Sequence, residues 1–337
     1  PGVSETHERL AAFRDGGAAC AAIEVSSHAL DQRRVDGIRF DAAIFTNLTR
    51  DHLDYHGDMA AYADAKARLF REHGSRNNII NIDTAFGARL AEELGERAIA
   101  VSTRELPAGK RGVRLAAQEP VADGTRVVAT SAAGEVAFTL PLVGAFNVAN
   151  AACVLGLLLA SGIALDDAAD ALAGVSAPPG RLQRVSAATG PAVYVDYAHT
   201  PDALQQVLVA LRPHTAGRLW CVFGCGGDRD AGKRPEMGRI AAELADRVVM
   251  TNDNPRSEDP AAIIDGILQG IAGDAQADVI EDRAAAIAWS IGRAGDDDVV
   301  LVAGKGHETS QHIGSRRIPF SDYAVAAAAL GADGGAA

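Results

Sequence analysis

Asp253-Asn254-Pro255-Arg256 follows the apolar run 247–251, which places a fixed guanidinium at the end of an expected strand. In an open α/β sheet ligands collect outside the carboxyl ends of the strands, and an arginine fork binds a carboxylate through two parallel hydrogen bonds. The tetrapeptide therefore points to a carboxylate-bearing ligand. Two further strand ends carry polar clusters, Glu24-Val25-Ser26-Ser27-His28 and Thr46-Asn47-Leu48-Thr49-Arg50-Asp51-His52. A carboxylate and an imidazole such as Glu24 and His52, brought to one rim, can hold a divalent metal beside a nucleotide. Ser26 and Ser27 suit the cap of a following helix. Lys66, within Ala63-Asp64-Ala65-Lys66-Ala67-Arg68, reads on its own as a solvated helix lysine. Gly224-Cys225-Gly226-Gly227-Asp228 has the composition of a dinucleotide fingerprint but not its spacing, because Arg229 stands where the third glycine belongs. That rejects nicotinamide binding. The glycines are expected instead to let backbone amides approach a ligand closely.

The elements that must position these residues fall into two sets. Short apolar runs at 19–25, 42–48, 77–82 and 98–102 alternate with helical patterns from Met59 to His73 and from Thr84 to Gly95, the grammar of a parallel sheet. From Val113 to Val143 short alternating segments broken by Asp123-Gly124 and Gly134 predict an antiparallel meander. A long apolar helix is expected from Ala145 to Ser161. Ala177-Pro178-Pro179-Gly180 interrupts the pattern and divides the chain into domains 1–178 and 179–337. Beyond it, strands near 192–197, 218–224, 246–251, 277–281 and 298–303 alternate with helices such as Pro201 to Leu211 and Pro260 to Ile271, predicting a second, Rossmann-like doubly wound domain. The alanine-rich stretch from Ala326 is expected to fray.

With 337 residues, 48% of them hydrophobic, the chain can build two cores. A net charge of −12 without a sustained basic stretch argues against nucleic-acid and anionic-membrane partners and leaves small anionic ligands open. No apolar run reaches the roughly 20 residues of a membrane span. Cys20, Cys153, Cys221 and Cys225 lack zinc-type pairing and read as reduced, mostly buried thiols of a cytoplasmic protein.

Five motifs, in order along nearly the whole chain, resemble those of the Mur ligases. They are Glu24-Val25-Ser26-Ser27-His28, Asn47 to Gly57, Val195-Asp196-Tyr197-Ala198-His199-Thr200-Pro201, Gly224 to Arg229, and Gly304-Lys305-Gly306-His307-Glu308. Asp253-Asn254-Pro255-Arg256 matches the branch of the family that adds meso-2,6-diaminopimelate. The resemblance implies an ATP-dependent amide ligase of cytoplasmic peptidoglycan precursor synthesis. Its substrates would be UDP-N-acetylmuramoyl-L-alanyl-D-glutamate, meso-2,6-diaminopimelate and ATP, and it would act with Mg²⁺, as a monomer, without nucleic acid or membrane. It further implies Glu24, His52 and a carbamylated Lys66 as metal ligands and catalytic groups, and Ser26, Gln32 and Arg34 as contacts to the UDP-muramoyl-peptide. Asn147 and Asn150 would face the adenine, and Arg181, Asp196 and His199 the phosphate and ribose. Arg229, Asp253, Asn254, Pro255, Arg256, Gly304 and Glu308 would form the amino-acid pocket. Arg256 would take the far carboxylate of diaminopimelate, and Glu308 its ammonium.

The family's glycine-rich phosphate loop and its amino-terminal UDP-binding domain are not among these 337 residues, so the chain reads as the continuation of something longer, expected to be inactive alone. Two alternatives accompany this reading: a piece that only binds the amino acid, and a folylpolyglutamate synthetase-like ligase with the same architecture.

Overall fold

The computed structural model describes residues 2–49, 52–121, 123–185, 189–271 and 277–331, with the backbone alone for Asp54. They form two compact units, one of residues 1–118, 126–138 and 148–173, the other of 119–125, 139–147 and 174–337.

The amino-terminal elements run α1 (Val3–Asp15), α2 (Ser27–Asp31), β1 (Ala42–Phe45), α3 (Leu53–His56), α4 (Met59–Glu72), β2 (Asn77–Asn81), α5 (Ala85–Leu94) and β3 (Ala98–Ser102). They continue with β4 (Gly112–Val121), β5 (Gly124–Ser131), β6 (Gly134–Leu140), α6 (Ala145–Ala160) and α7 (Leu165–Ala173). The sheet order follows the chain, β1-β2-β3-β4-β5-β6. The first four strands pair in parallel, and the two-residue links around β5 allow only antiparallel neighbours. Side-chain caps start the helices that cover the parallel strands: Asp58 accepts from the Ala61 amide and Thr84 from that of Gly87. Behind them Phe45, Phe70, Ile80, Leu90 and Leu94 make a core cluster.

The expected strand at 19–25 does not form. Residues 18–24 are exposed coil, and β1 is the sheet's edge. The run Ala18-Ala19-Cys20-Ala21-Ala22 has little side-chain area to bury, and a parallel strand without a ladder partner leaves its backbone groups to water. Glu24 is therefore not on a strand end.

The carboxyl-terminal elements are β7 (Gln183–Val185), β8 (Ala192–Asp196), α8 (Pro201–Leu211), β9 (Leu219–Phe223), α9 (Lys233–Leu244), β10 (Arg247–Met250) and α10 (Pro260–Leu268). After them come β11 (Ala277–Val279), α11 (Arg283–Ile291), β12 (Val299–Ala303), β13 (Ser310–Ile313), β14 (Arg316–Pro319) and α12 (Asp322–Ala329). The sheet order is β11-β10-β9-β12-β8-β7, parallel except for β7. Its strands are apolar on both faces. Cys221, Phe223, Val248, Met250 and Leu301 enter one core, while Trp220, Val222, Val249, Val300 and Val302 enter the other. That is why the strands read as continuous hydrophobic runs. The chain moves outward from β9 through β10 to β11 and then returns to insert β12 between β9 and β8. The loops leaving β9 and β12 therefore part in opposite directions, which opens a crevice at their carboxyl ends. The stretch from Ala326 is helical to Ala329 instead of frayed, capped by Ser321; residues 332–337 lie outside the described residues.

Candidate functional site

Three segments meet above that crevice: the loop after β10, the loop after β12, and the β13–β14 hairpin. Asn254, Arg256, His307, Glu308, His312 and Arg317 line a cleft of about 280 Å³. Arg256 adopts a left-handed backbone, φ 52°, which a non-glycine residue keeps only where its surroundings enforce it. The hairpin does so. The Arg256 amide donates to His312 O at 3.0 Å, and the Gly314 amide donates to Arg256 O at 2.7 Å. The guanidinium Nη1 donates to the carbonyl of Gly227.

The glycine-rich loop after β9 was expected to bring amides close to a ligand, but its tight approach is to the chain itself. A Cβ at Gly224 would collide with Thr251 O, and one at Gly227 with Pro255 O. The glycines thus let the β9 and β10 loops pack backbone to backbone, and they set where Arg256 stands. Arg229 lies exposed on this loop and donates to Asp228 O at 3.1 Å.

Asn254 and Glu308 face each other across the cleft's floor. Asn254 Nδ2 donates to Glu308 Oε2 at 2.9 Å, and Lys305 Nζ donates to the same oxygen at 2.7 Å. Burial alone would raise the Glu308 pKa, but the bonds from Lys305 and Asn254 hold it below the ordinary carboxylate value. Asp253 behaves oppositely. Burial raises it despite the nearby charges of Arg283 and Lys305. Its Oδ2 has no hydrogen-bond partner among the described residues. Gly304, φ +119°, passes so close that a Cβ there would lie 2.6 Å from that oxygen. Below them Arg283, fully buried, grips Asp322 at 2.7 and 2.8 Å and donates to Ala303 O at 2.9 Å. A buried ion pair thereby holds the end of β12.

Of the expected pocket residues, Asp253, Asn254, Pro255, Arg256, Gly304 and Glu308 therefore come together on adjoining loops. The sequence reading missed Lys305 and Arg283. Lys305 stood inside a quoted motif; Arg283, at the start of α11, gave no signal.

Elsewhere in the same unit, Arg181 lies over the Tyr197 ring at 5.1 Å, and the rings of Tyr197 and His199 are 4.5 Å apart. The Asp196 carboxylate accepts from the amides of Leu182 and Ala198, each at 2.7 Å. It thus clamps the backbone under these rings, and burial raises its pKa. On α6, Asn147 Nδ2 donates to Val143 O at 2.9 Å; Asn150, which belongs to the amino-terminal unit, is exposed. Cys221 and Cys225 are buried, and burial pushes the Cys225 thiol up to about 11, the state of an unreactive core thiol.

In the amino-terminal unit, His52 has a left-handed backbone, φ 54°. Its ring lies 4.8 Å from that of His28 and 5.9 Å from that of Tyr62. Lys66 is half-buried, with Nζ 5.2 Å from the Tyr62 ring centroid, which corrects the solvated reading of this lysine. His52 and Lys66 thus share one aromatic neighbour. Glu24 is exposed in the coil before α2. Ser26 caps α2, accepting from the Ala29 amide at 3.1 Å, while Ser27 pairs with His56 Nε2 at 2.9 Å. Gln32 Nε2 donates to the Tyr55 hydroxyl at 3.1 Å, and Arg34 donates to Gln32. Arg50 and Asp51 lie outside the described residues.

Magnesium takes about six oxygen donors. One carboxylate, one imidazole and an unmodified ammonium do not make that shell, and no group of three His, Cys, Asp or Glu among the described residues could hold a metal ion.

Comparison with known proteins decides the family. Residues 3–158 match the Mur ligase middle domain, and residues 180–306 match the Mur ligase, glutamate ligase domain. The UDP-N-acetylmuramoyl-L-alanyl-D-glutamate--2,6-diaminopimelate ligase of Alkalilimnicola ehrlichii is 51% identical, over 100% of this chain and 67% of its own length. The chain belongs to the Mur ligase family. It spans about two thirds of the length of such relatives. A solved diaminopimelate ligase of the same name superposes with a TM-score of 0.72 at 37% identity, covering 97% of this chain and 68% of that one. The folylpolyglutamate synthase of Thermotoga maritima, at 17% identity and a TM-score of 0.58, shares the fold only. Mur ligases are ATP-dependent amide-forming enzymes, which makes this chain's family a ligase family.

Proposed function

We propose that this chain serves the ATP-dependent addition of meso-2,6-diaminopimelate to UDP-N-acetylmuramoyl-L-alanyl-D-glutamate, in the cytoplasm and as a monomer. Residues 1–178 form the central nucleotide-handling domain in this reading, and residues 179–337 the amino-acid domain. The observation that carries it is the cleft in which Arg256 and Glu308 stand with Asn254. One guanidinium and one carboxylate match an amino-carboxylate centre, and a ligand with a second such centre can react at its other end. Lysine lacks the far carboxylate and would leave Arg256 unmatched, which is how the site selects against it.

In the reaction the γ-phosphoryl group of ATP passes to the substrate's terminal carboxylate. The amine of diaminopimelate then attacks the acyl carbon, forming the amide and releasing phosphate. The amino-acid loops hold that amine in place, and positioning of this kind supplies much of the rate. Arg181 and His199 contact the nucleotide, with Asp196 fixing their loop, and Asn147 and Asn150 face its base. Ser26, Gln32 and Arg34 meet the UDP-muramoyl-peptide, and Arg229, Asp253 and Gly304 complete the amino-acid pocket. Mg²⁺, when bound, neutralises charge during phosphoryl transfer. Glu24, His52 and Lys66 would hold it once Lys66 is carbamylated, because carbon dioxide converts its ammonium into an oxygen donor.

The test is calorimetric titration of the protein with diaminopimelate and with lysine. Binding of diaminopimelate at least tenfold tighter is expected. Equal affinity for the two amino acids would overturn the assignment of the cleft.

A further inference from the structure

Lys305 has no role in the scheme above, yet its side chain is fully buried directly beneath the cleft. An ammonium taken out of water is tolerated only when paired and hydrogen-bonded, so its partners are informative. Nζ donates to Asn254 Oδ1 at 2.9 Å and to Glu308 Oε2 at 2.7 Å. The amide of His312 also donates to Asn254 Oδ1, at 3.0 Å. Two donors on that atom settle which end of the side-chain amide is oxygen, so Nδ2 must face Glu308 Oε2, to which it donates at 2.9 Å.

The count of donors and acceptors then leaves two groups over. They are the second N–H of Asn254 and the Oε1 oxygen of Glu308, neither of which has a hydrogen-bond partner among the described residues. Both residues line the cleft. One donor beside one anionic acceptor complements the carboxylate and the ammonium of a single amino-acid centre. Remove the Lys305 charge and two things follow. The Asn254 amide loses a bond that forbids its turning over, and Glu308 loses its nearest cation.

We propose that Lys305 is a positioning residue for the amino-acid substrate: from below the cleft it fixes Asn254 and Glu308 so that one N–H and one carboxylate oxygen are presented to an amino-carboxylate centre. This rests on the reading of the cleft as the diaminopimelate site.

The experiment is Lys305→Met in the full-length ligase, with Glu308→Gln and the double variant alongside. Lys305→Met should raise KM for diaminopimelate by about 10–100-fold while the KM values for ATP and the UDP-muramoyl-dipeptide stay within about twofold. The acid limb of kcat/KM for diaminopimelate should move to higher pH. Arg256, Arg283, Asp253, His307, His312 and Arg317 also face or underlie Glu308, but they are the same in both proteins. The losses in the double variant should be clearly less than additive, as expected when one residue acts largely through the other. An unchanged KM with an unmoved acid limb, or additive losses in the double variant, overturns the proposal. If Lys305→Met yields no folded protein, ¹⁵N-lysine labelling of the wild type decides. A slowly exchanging Lys305 ammonium that shifts on adding diaminopimelate supports the role, and an ammonium that exchanges like a surface lysine or ignores the ligand overturns it. Wild-type protein that fails to bind diaminopimelate would instead sink the functional reading itself.

Discussion

The cleft lined by Arg256 and Glu308 and the His52–Lys66 region represent two ways of building a site. The cleft is built from inside: Asn254 and Lys305 are buried, Arg283 and Asp322 form a fully buried pair beneath them, and Lys305 pairs with Glu308. Its geometry is fixed before a ligand arrives. In the other region Glu24 and His52 are exposed, and Lys66 is half-buried against the Tyr62 ring. His28, His52, Tyr62 and Lys66 meet there through ring contacts. A ring fixes direction loosely, whereas a buried hydrogen-bonded charge tolerates little movement. The cleft thus owes its shape to buried charge pairs, while in the proposed mechanism the second region would acquire its chemistry only when Lys66 changes charge.

That contrast can be broken most sharply at Lys66. Lys66→Ala in the full-length ligase should abolish turnover, by about a thousandfold or more as for loss of groups acting on phosphoryl charge, and short-chain carboxylic acids should restore part of it. Normal turnover in that variant would remove the carbamate from the mechanism.

At the cleft the largest structural effect is expected from Asp322→Ala, which strands a fully buried guanidinium. Breaking such a pair costs about 3–5 kcal/mol, to be read from denaturant unfolding with diaminopimelate absent. A loss below about 1 kcal/mol would show that the cleft is not supported from beneath.

Arg256→Ala tests discrimination instead of stability. Losing a charge-assisted contact in a desolvated site costs about 2–5 kcal/mol, or roughly 30-fold to several thousand-fold in preference for diaminopimelate over lysine. Competition assays should show that loss, and an unchanged preference would move selectivity to another residue.

The smallest effect concerns pH. Burial raises the pKa of Asp253 above its unfolded value, so in the window between the two values the folded state holds a proton that the unfolded state has lost. Stability from this group therefore falls as pH rises from the ordinary carboxylate range toward the raised value. The slope is at most about 1.4 kcal/mol per pH unit. Asp253→Asn should flatten that part of the stability profile. An identical profile would place the Asp253 pKa at its ordinary value.

Much of this protein was legible in its sequence. The strands at 98–102 and 219–223 and the helix Pro201–Leu211 announce themselves because a buried parallel strand must be apolar on both faces and a helix needs its cap and its period. Arg256 was marked by its place at a strand end, and Glu308 only by the resemblance of Gly304-Lys305-Gly306-His307-Glu308 to a family motif.

What tertiary structure alone decided is of three kinds. Residues 18–24 stayed coil, since a strand exists only where another strand accepts its hydrogen bonds. The glycines at 224 and 227 proved to serve the contact of one loop with another, because close approach in sequence terms names no partner. Lys305 and Arg283 became central through burial, which no local pattern encodes: the free energy of a charge is set by what surrounds it, and its surroundings come from residues up to 51 positions away.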